Sequence, residues 1–154
     1  MSRSSNSPSK PYPLVPSLVL ISLLVGLWGA VPAQAAITGP LAKAVAQGKQ
    51  IFLHDTFGGR GMTCNACHRG AGLTATVTPN GSRFPSLSNA VATFPRYSRR
   101  AGRVITLQDQ IRGCVKGALG GTPPADDSLT MRALVSYLTS LSQGKPIDMG
   151  GKPK

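Results

Sequence analysis

Residues 64–68 read Cys64-Asn65-Ala66-Cys67-His68, and no other stretch restricts what this chain can fold into as much. Two thiols two residues apart can each add to one of the two vinyl groups along a single porphyrin edge. The His that follows directly is delivered to the iron as proximal ligand. The pattern is the attachment signature of c-type haem. It predicts thioethers at Cys64 and Cys67, His68 on the metal, and one covalent haem c. A zinc site would want two more ligands at matching spacing, and the only other His is His54. A Cys-x-x-Cys redox pair would want a βαβ setting, which the sequence does not show.

The N-terminus agrees with that chemistry, because haem attachment follows export. Arg3 and Lys10 precede an apolar run from Leu14 to Val31, and Val31-Pro32-Ala33-Gln34-Ala35-Ala36 ends in the small residues that a signal peptidase accepts. Residues 1–35 are expected to be a signal peptide. A retained membrane anchor is the alternative, since about 18 apolar residues can span a bilayer. The expected compartment is the periplasm, or the thylakoid lumen in a photosynthetic cell. Residues 36–148 form the expected monohaem domain and 149–154 a flexible tail.

Hydrophobic residues make up 41% of the chain, which excludes wholesale disorder, while 18 Gly and 13 Pro promise many loops. Pro40 suits a first helical turn, and Leu41, Ala44, Val45, Gly48, Ile51 and Phe52 follow helical spacing. Ser128 could cap a second helix bearing Met131, Leu134, Val135, Leu138 and Leu141, closed by Gly144. The stretch Gly48-Lys49-Gln50-Ile51-Phe52, shortly before the haem motif, resembles the first helix of class I cytochromes c. That likeness implies an all-α domain whose first and last helices cross, with Gly48 permitting close approach. Residues 70–95 are rich in Gly, Pro, Ser, Thr and Asn and read as loop over the haem edge.

The sixth iron ligand has several candidates: His54, Met62, Met131, Met149 and Cys114. Met62 stands too near the attachment cysteines to reach the opposite face, and His54 reads as a surface residue. Met131 falls on the packing face of the last helix, where a Met is usually core, and Met149 lies in the tail. Thr106-Leu107-Gln108-Asp109 begins like a capping box. Leu107, Ile111, Cys114, Val115 and Ala118 then recur on one helix face, so the Cys114 thiol should point inward. An unpaired thiol in an exported protein is open to oxidation unless something protects it, and iron would hold it as thiolate. On the residues alone, a buried free cysteine remains equally open.

The run from Phe94 to Leu107, followed by Gln110-Ile111-Arg112-Gly113-Cys114, resembles the haem-bearing N-terminal domain of the thiosulfate dehydrogenase family. The tail segments Met131–Leu138 and Leu141–Pro146 are similar to it as well. That family is related to the cytochrome subunits of the sulfur-oxidation system. The resemblance implies a His/Cys-ligated haem with Cys114 as distal ligand, Arg100 in a substrate region, and interconversion of thiosulfate and tetrathionate. The sequence departs from the family pattern in three places. It has a single haem motif, Gln110 replaces an arginine four residues before the ligand cysteine, and Ala118 replaces a serine four residues after it. Losing a cation and a hydroxyl should weaken the hold on a dianion.

The chain has 17 Lys+Arg against 5 Asp+Glu, a formal net charge of +12. Only two of those positive residues, Arg3 and Lys10, precede residue 36, so the excess belongs to the folded part. Nucleic acid is excluded by export and haem attachment, which leaves an acidic redox protein as the expected partner. Within the cluster Arg96, Arg99, Arg100 and Arg103, Arg96 and Arg103 are candidate contacts for haem propionates. The same guanidinium groups could hold a sulfur oxyanion. Electron transfer is the first reading of the sequence. A thiosulfate dehydrogenase-type enzyme needing a second haem protein is the next, and a haem-based sensor or small-ligand binder the third.

Overall fold

The computed structural model describes residues 36–153. The signal-peptide or anchor segment lies outside the described residues. Among those described, no helix is long and apolar enough to cross a membrane.

Helix α1 spans Gly39–His54 and begins with Pro40 in its first turn, where a missing N–H costs nothing. Helix α4 spans Leu129–Leu141, and the Ser128 hydroxyl accepts the Met131 N–H at 3.1 Å. The two helices pack against each other and make the most extensive contact among the described elements. Gly48 is the reason they can. A methyl group there would sit 2.7 Å from the Tyr137 Cβ and overlap the Ala133 carbonyl. Beside this contact, Phe52 packs edge-on against Tyr137 with ring centroids 5.5 Å apart. The core around them includes Leu107, Ile111, Val115, Leu119, Met131 and Leu134.

Between the two helices run α2 (Cys64–Cys67), α3 (Leu107–Cys114) and four very short strands. Strands β1 (Thr76–Val77) and β2 (Arg83–Phe84) pair antiparallel, Thr76 with Phe84. Strands β3 (Arg96–Ser98) and β4 (Arg103–Ile105) pair Arg96 with Ile105. The all-α expectation is corrected to a mainly helical domain with two small antiparallel ribbons. The loop expected over residues 70–95 contains the first ribbon and a 3-10 turn at Val91–Thr93. Both ribbons are closed by glycines in left-handed conformation, Gly81 after Asn80 and Gly102 after Ala101.

The α3 start is the capping box expected from its sequence. The Thr106 hydroxyl accepts the Asp109 N–H at 3.2 Å, and Asp109 accepts the Thr106 N–H at 3.0 Å. Its end is less regular. After Cys114 the chain widens into a π-helical turn, Val115–Leu119. The wider turn rotates Ala118 outward and puts Leu119 in the core, so Ala118 is exposed rather than part of the apolar face.

A brace joins this turn to the segment before the haem motif. The Arg60 N–H donates to the Leu119 carbonyl at 2.9 Å, and the Thr122 N–H to the Phe57 carbonyl at 2.8 Å. The Arg60 guanidinium donates to the Gly117 and Ala118 carbonyls at 3.3 and 3.2 Å, covering orphan acceptors at the helix end. At the C-terminus, Asp148 and Gly150 donate their N–H groups to the Ala92 and Thr93 carbonyls at 2.8 and 3.1 Å. Part of the segment read as a loose tail thus carries backbone hydrogen bonds.

Candidate haem site

Cys64 and Cys67 stand at the two ends of the single turn α2, three residues apart and so on one face. His68 leaves the helix immediately, its N–H still bonded to the Cys64 carbonyl at 3.0 Å. Asn65 fixes the turn that follows by accepting the Ala71 N–H at 3.0 Å. The Tyr137 hydroxyl donates to the Ala71 carbonyl at 2.6 Å and ties the same turn to α4.

The His68 ring stands edge-on to Phe84, centroids 5.7 Å apart, with Nδ1 3.4 Å from the Pro85 carbonyl. A carbonyl can only accept, so this contact keeps the ring proton on Nδ1 and leaves the Nε2 lone pair for a metal. Burial lowers the His68 pKa below its ordinary value, which favours the neutral, ligating form. Burial also pushes the Cys64 thiol up to about 12, with the nearby Cys114 sulfur as the next cause. Cys64 is thus held uncharged.

His68 and Cys64 open into a cleft of about 370 Å³. Its lining is mainly apolar, including Phe52, Phe84, Leu87, Ile111 and Leu138. Cys114 lines it as well, from the end of α3. The other sixth-ligand candidates do not. Met131 is 1% exposed in the core, Met149 lies in an outer groove beside Leu41 and Ile147, and Met62 and His54 are exposed. An apolar cleft bearing a neutral imidazole, an attachment thiol and a second sulfur fits a macrocycle that brings its own four nitrogens. Among the described residues, no group of three His, Cys, Asp or Glu could hold a bare ion.

The arginines separate into two sets. Arg96 lines the cleft and donates to the Gln110 side-chain Oε1 at 3.0 Å, while its guanidinium lies 4.8 Å from the Phe94 ring centroid. Arg103 does not line the cleft; it reaches out to Asp109 at 2.9 Å. Arg112 pairs with the same carboxylate at 2.6 Å and also meets Asp126. Arg100 and Arg103 instead line a second, open pocket of about 830 Å³, together with Lys116, Gln110 and Cys114. Cys114 therefore forms part of the partition between the apolar cleft and a cationic pocket. Sequence reasoning did not find Pro85, Lys116, Arg60 or the part played by Gln110. Only Gln110 had a readable signal, since a residue four before Cys114 shares its helix face.

The SoxA/TsdA cytochrome c domain family matches residues 47–147. The chain belongs to this family. Thiosulfate dehydrogenase of Allochromatium vinosum is 34% identical over 124 residues, covering 76% of this chain and 44% of that protein. Thiosulfate dehydrogenase of Psychrobacter arcticus is 36% identical over 88 residues, covering 57% and 25%. Among solved structures, thiosulfate dehydrogenase (TsdBA) from Marichromatium purpuratum in its as-isolated form superposes with a TM-score of 0.62 at 26% identity, covering 78% of this chain and 27% of that one. The chain spans less than half the length of these curated relatives.

As a SoxA/TsdA cytochrome c domain, the chain carries covalently bound haem c. When bound, the haem supplies an iron that changes oxidation state by one electron. The protein's own part is positional. Pro85 and Phe84 orient the imidazole, and the walls of the cleft are mainly apolar. The Cys114 sulfur enters from the α3 side.

Proposed function

We propose that this chain is an exported haem c domain that passes electrons in sulfur-compound oxidation, with His68 and Cys114 as the axial pair. One observation carries the ligand reading: Cys114 lines the same cleft as His68, and Met131 and Met149 lie elsewhere. Thiolate ligation gives the ferric protein a low-spin EPR signal and a near-infrared band of His/thiolate type. Both should be lost in Cys114→Ala, and an unchanged spectrum in that variant would return the choice to Met131 or Met149.

Residues 1–35 direct export to the periplasm, or to the thylakoid lumen in a photosynthetic cell, and would tether the domain to a membrane if retained. The +12 charge and the exposed Arg99 and Arg100 suit docking to an acidic redox protein, with association that weakens as salt rises. A second reading is supported by the pocket behind Cys114, where Arg100 and Lys116 could receive a sulfur oxyanion, while Arg103 is paired with Asp109 in the same pocket. In that case the chain would be the substrate-facing half of a thiosulfate dehydrogenase-type enzyme and would need a second haem protein as electron exit. Adding thiosulfate to the ferric holoprotein separates the two. Reduction of the haem supports the enzyme, and its absence leaves the carrier.

A further inference from the structure

Gln110 stands one turn before Cys114 on α3, and its side-chain nitrogen lies 3.3 Å from the Cys114 sulfur. Its other end meets Arg96 at 3.0 Å. A guanidinium has only donors, so the amide oxygen must face Arg96 and the NH₂ must face the sulfur. Arg96 is itself fixed by its stacking over Phe94 and by its place on β3. The result is a directed chain of donors, Arg96 to Gln110 to Cys114, along one wall of the haem cleft. A charged donor at its head polarises the amide and strengthens the N–H offered to the sulfur.

We infer that Gln110, oriented by Arg96, is a positioning residue that sets the reduction potential of the haem through its hydrogen bond to the Cys114 sulfur. The inference rests on the assignment of Cys114 as iron ligand proposed above. Reduction adds an electron to the iron–thiolate unit and makes the sulfur more electron-rich. An N–H donor therefore stabilises the reduced state more than the oxidised one and raises the potential. Gln110 does this without adding a net charge beside the sulfur.

The test is a redox titration of the holoprotein with mediators, read with the EPR and near-infrared spectra of each variant. Gln110→Leu should keep the His/thiolate signature and weaken reduction about tenfold, a fall of about 59 mV for a one-electron couple. An unchanged potential in a variant that keeps the signature would overturn the inference. Arg96→Met, made both in the native protein and in the Gln110→Leu background, separates orientation from bare charge. Orientation predicts that most of its effect disappears once Gln110 is gone, whereas equal shifts in both backgrounds would remove Arg96 from the chain. A native protein without the thiolate signature would instead refute the Cys114 assignment, before any Gln110 variant is made.

Discussion

The two walls of the cleft are built in opposite ways. The attachment motif is contiguous: Cys64, Cys67 and His68 fall within five residues, one helical turn sets their spacing, and Cys64 and His68 line the cleft. The part of the lining around Cys114 is assembled from separate segments. Phe94 and Arg96 come from the chain entering β3, Gln110 and Cys114 from α3, and the helix that carries the sulfur changes pitch straight after it. A wall written in one stretch depends mainly on local geometry. A wall gathered from several elements depends on their packing, and can be tuned by residues that never touch the metal.

That contrast can be broken by substitution. The largest expected effect is on the attachment wall: with Cys64 and Cys67 both replaced by Ala, haem should be absent from the denatured polypeptide on a haem-stained gel. Cys114→Ala should leave the haem covalently attached and remove only the thiolate spectrum. Loss of covalent haem in that variant would mean that the two walls are not separable.

Smaller effects sharpen the comparison. Tyr137→Phe deletes the 2.6 Å hydrogen bond to the Ala71 carbonyl and should cost about 1 kcal/mol, lowering Tm by roughly 4 °C. Because that bond serves the attachment wall, the thiolate band should stay where it is. Outside the cleft, at the start of α3, the Arg103 hydrogen bond holds the Asp109 carboxyl well below the usual carboxylate range, and the Thr106 N–H adds to it. A depressed folded-state pKa adds stability that is complete above the unfolded value, near 3.9, and is lost as pH falls through the folded value. The Tm advantage of the native protein over Asp109→Asn should thus be steady from neutral pH to about pH 5 and narrow below about pH 4.

What could be read from the sequence follows the same division. The haem pentapeptide, the Thr106–Asp109 capping box, the Ser128 cap and the close approach at Gly48 are each fixed by residues close in sequence or by one residue's size. All four were legible. The ribbons were not, because strands of two or three residues are too short for a period-2 pattern to register. Their turns did carry a signal in Asn80-Gly81 and Gly102. The outward placement of Ala118 could not be foreseen from 3.6-residue spacing, since the π turn alters the period where it matters. Gln110 was legible as a missing cation, but its role as a donor needed Arg96 beside it.

The brace between Phe57–Arg60 and the turn after Cys114 has a kinetic consequence. It fastens the strand of chain entering the attachment motif to the end of the helix that carries the opposing sulfur, outside the cleft and away from the metal. In the ligation proposed above, this frame would hold the segments that carry His68 and Cys114 at a set separation. A small nuclear rearrangement on oxidation or reduction is the expected consequence of such a frame.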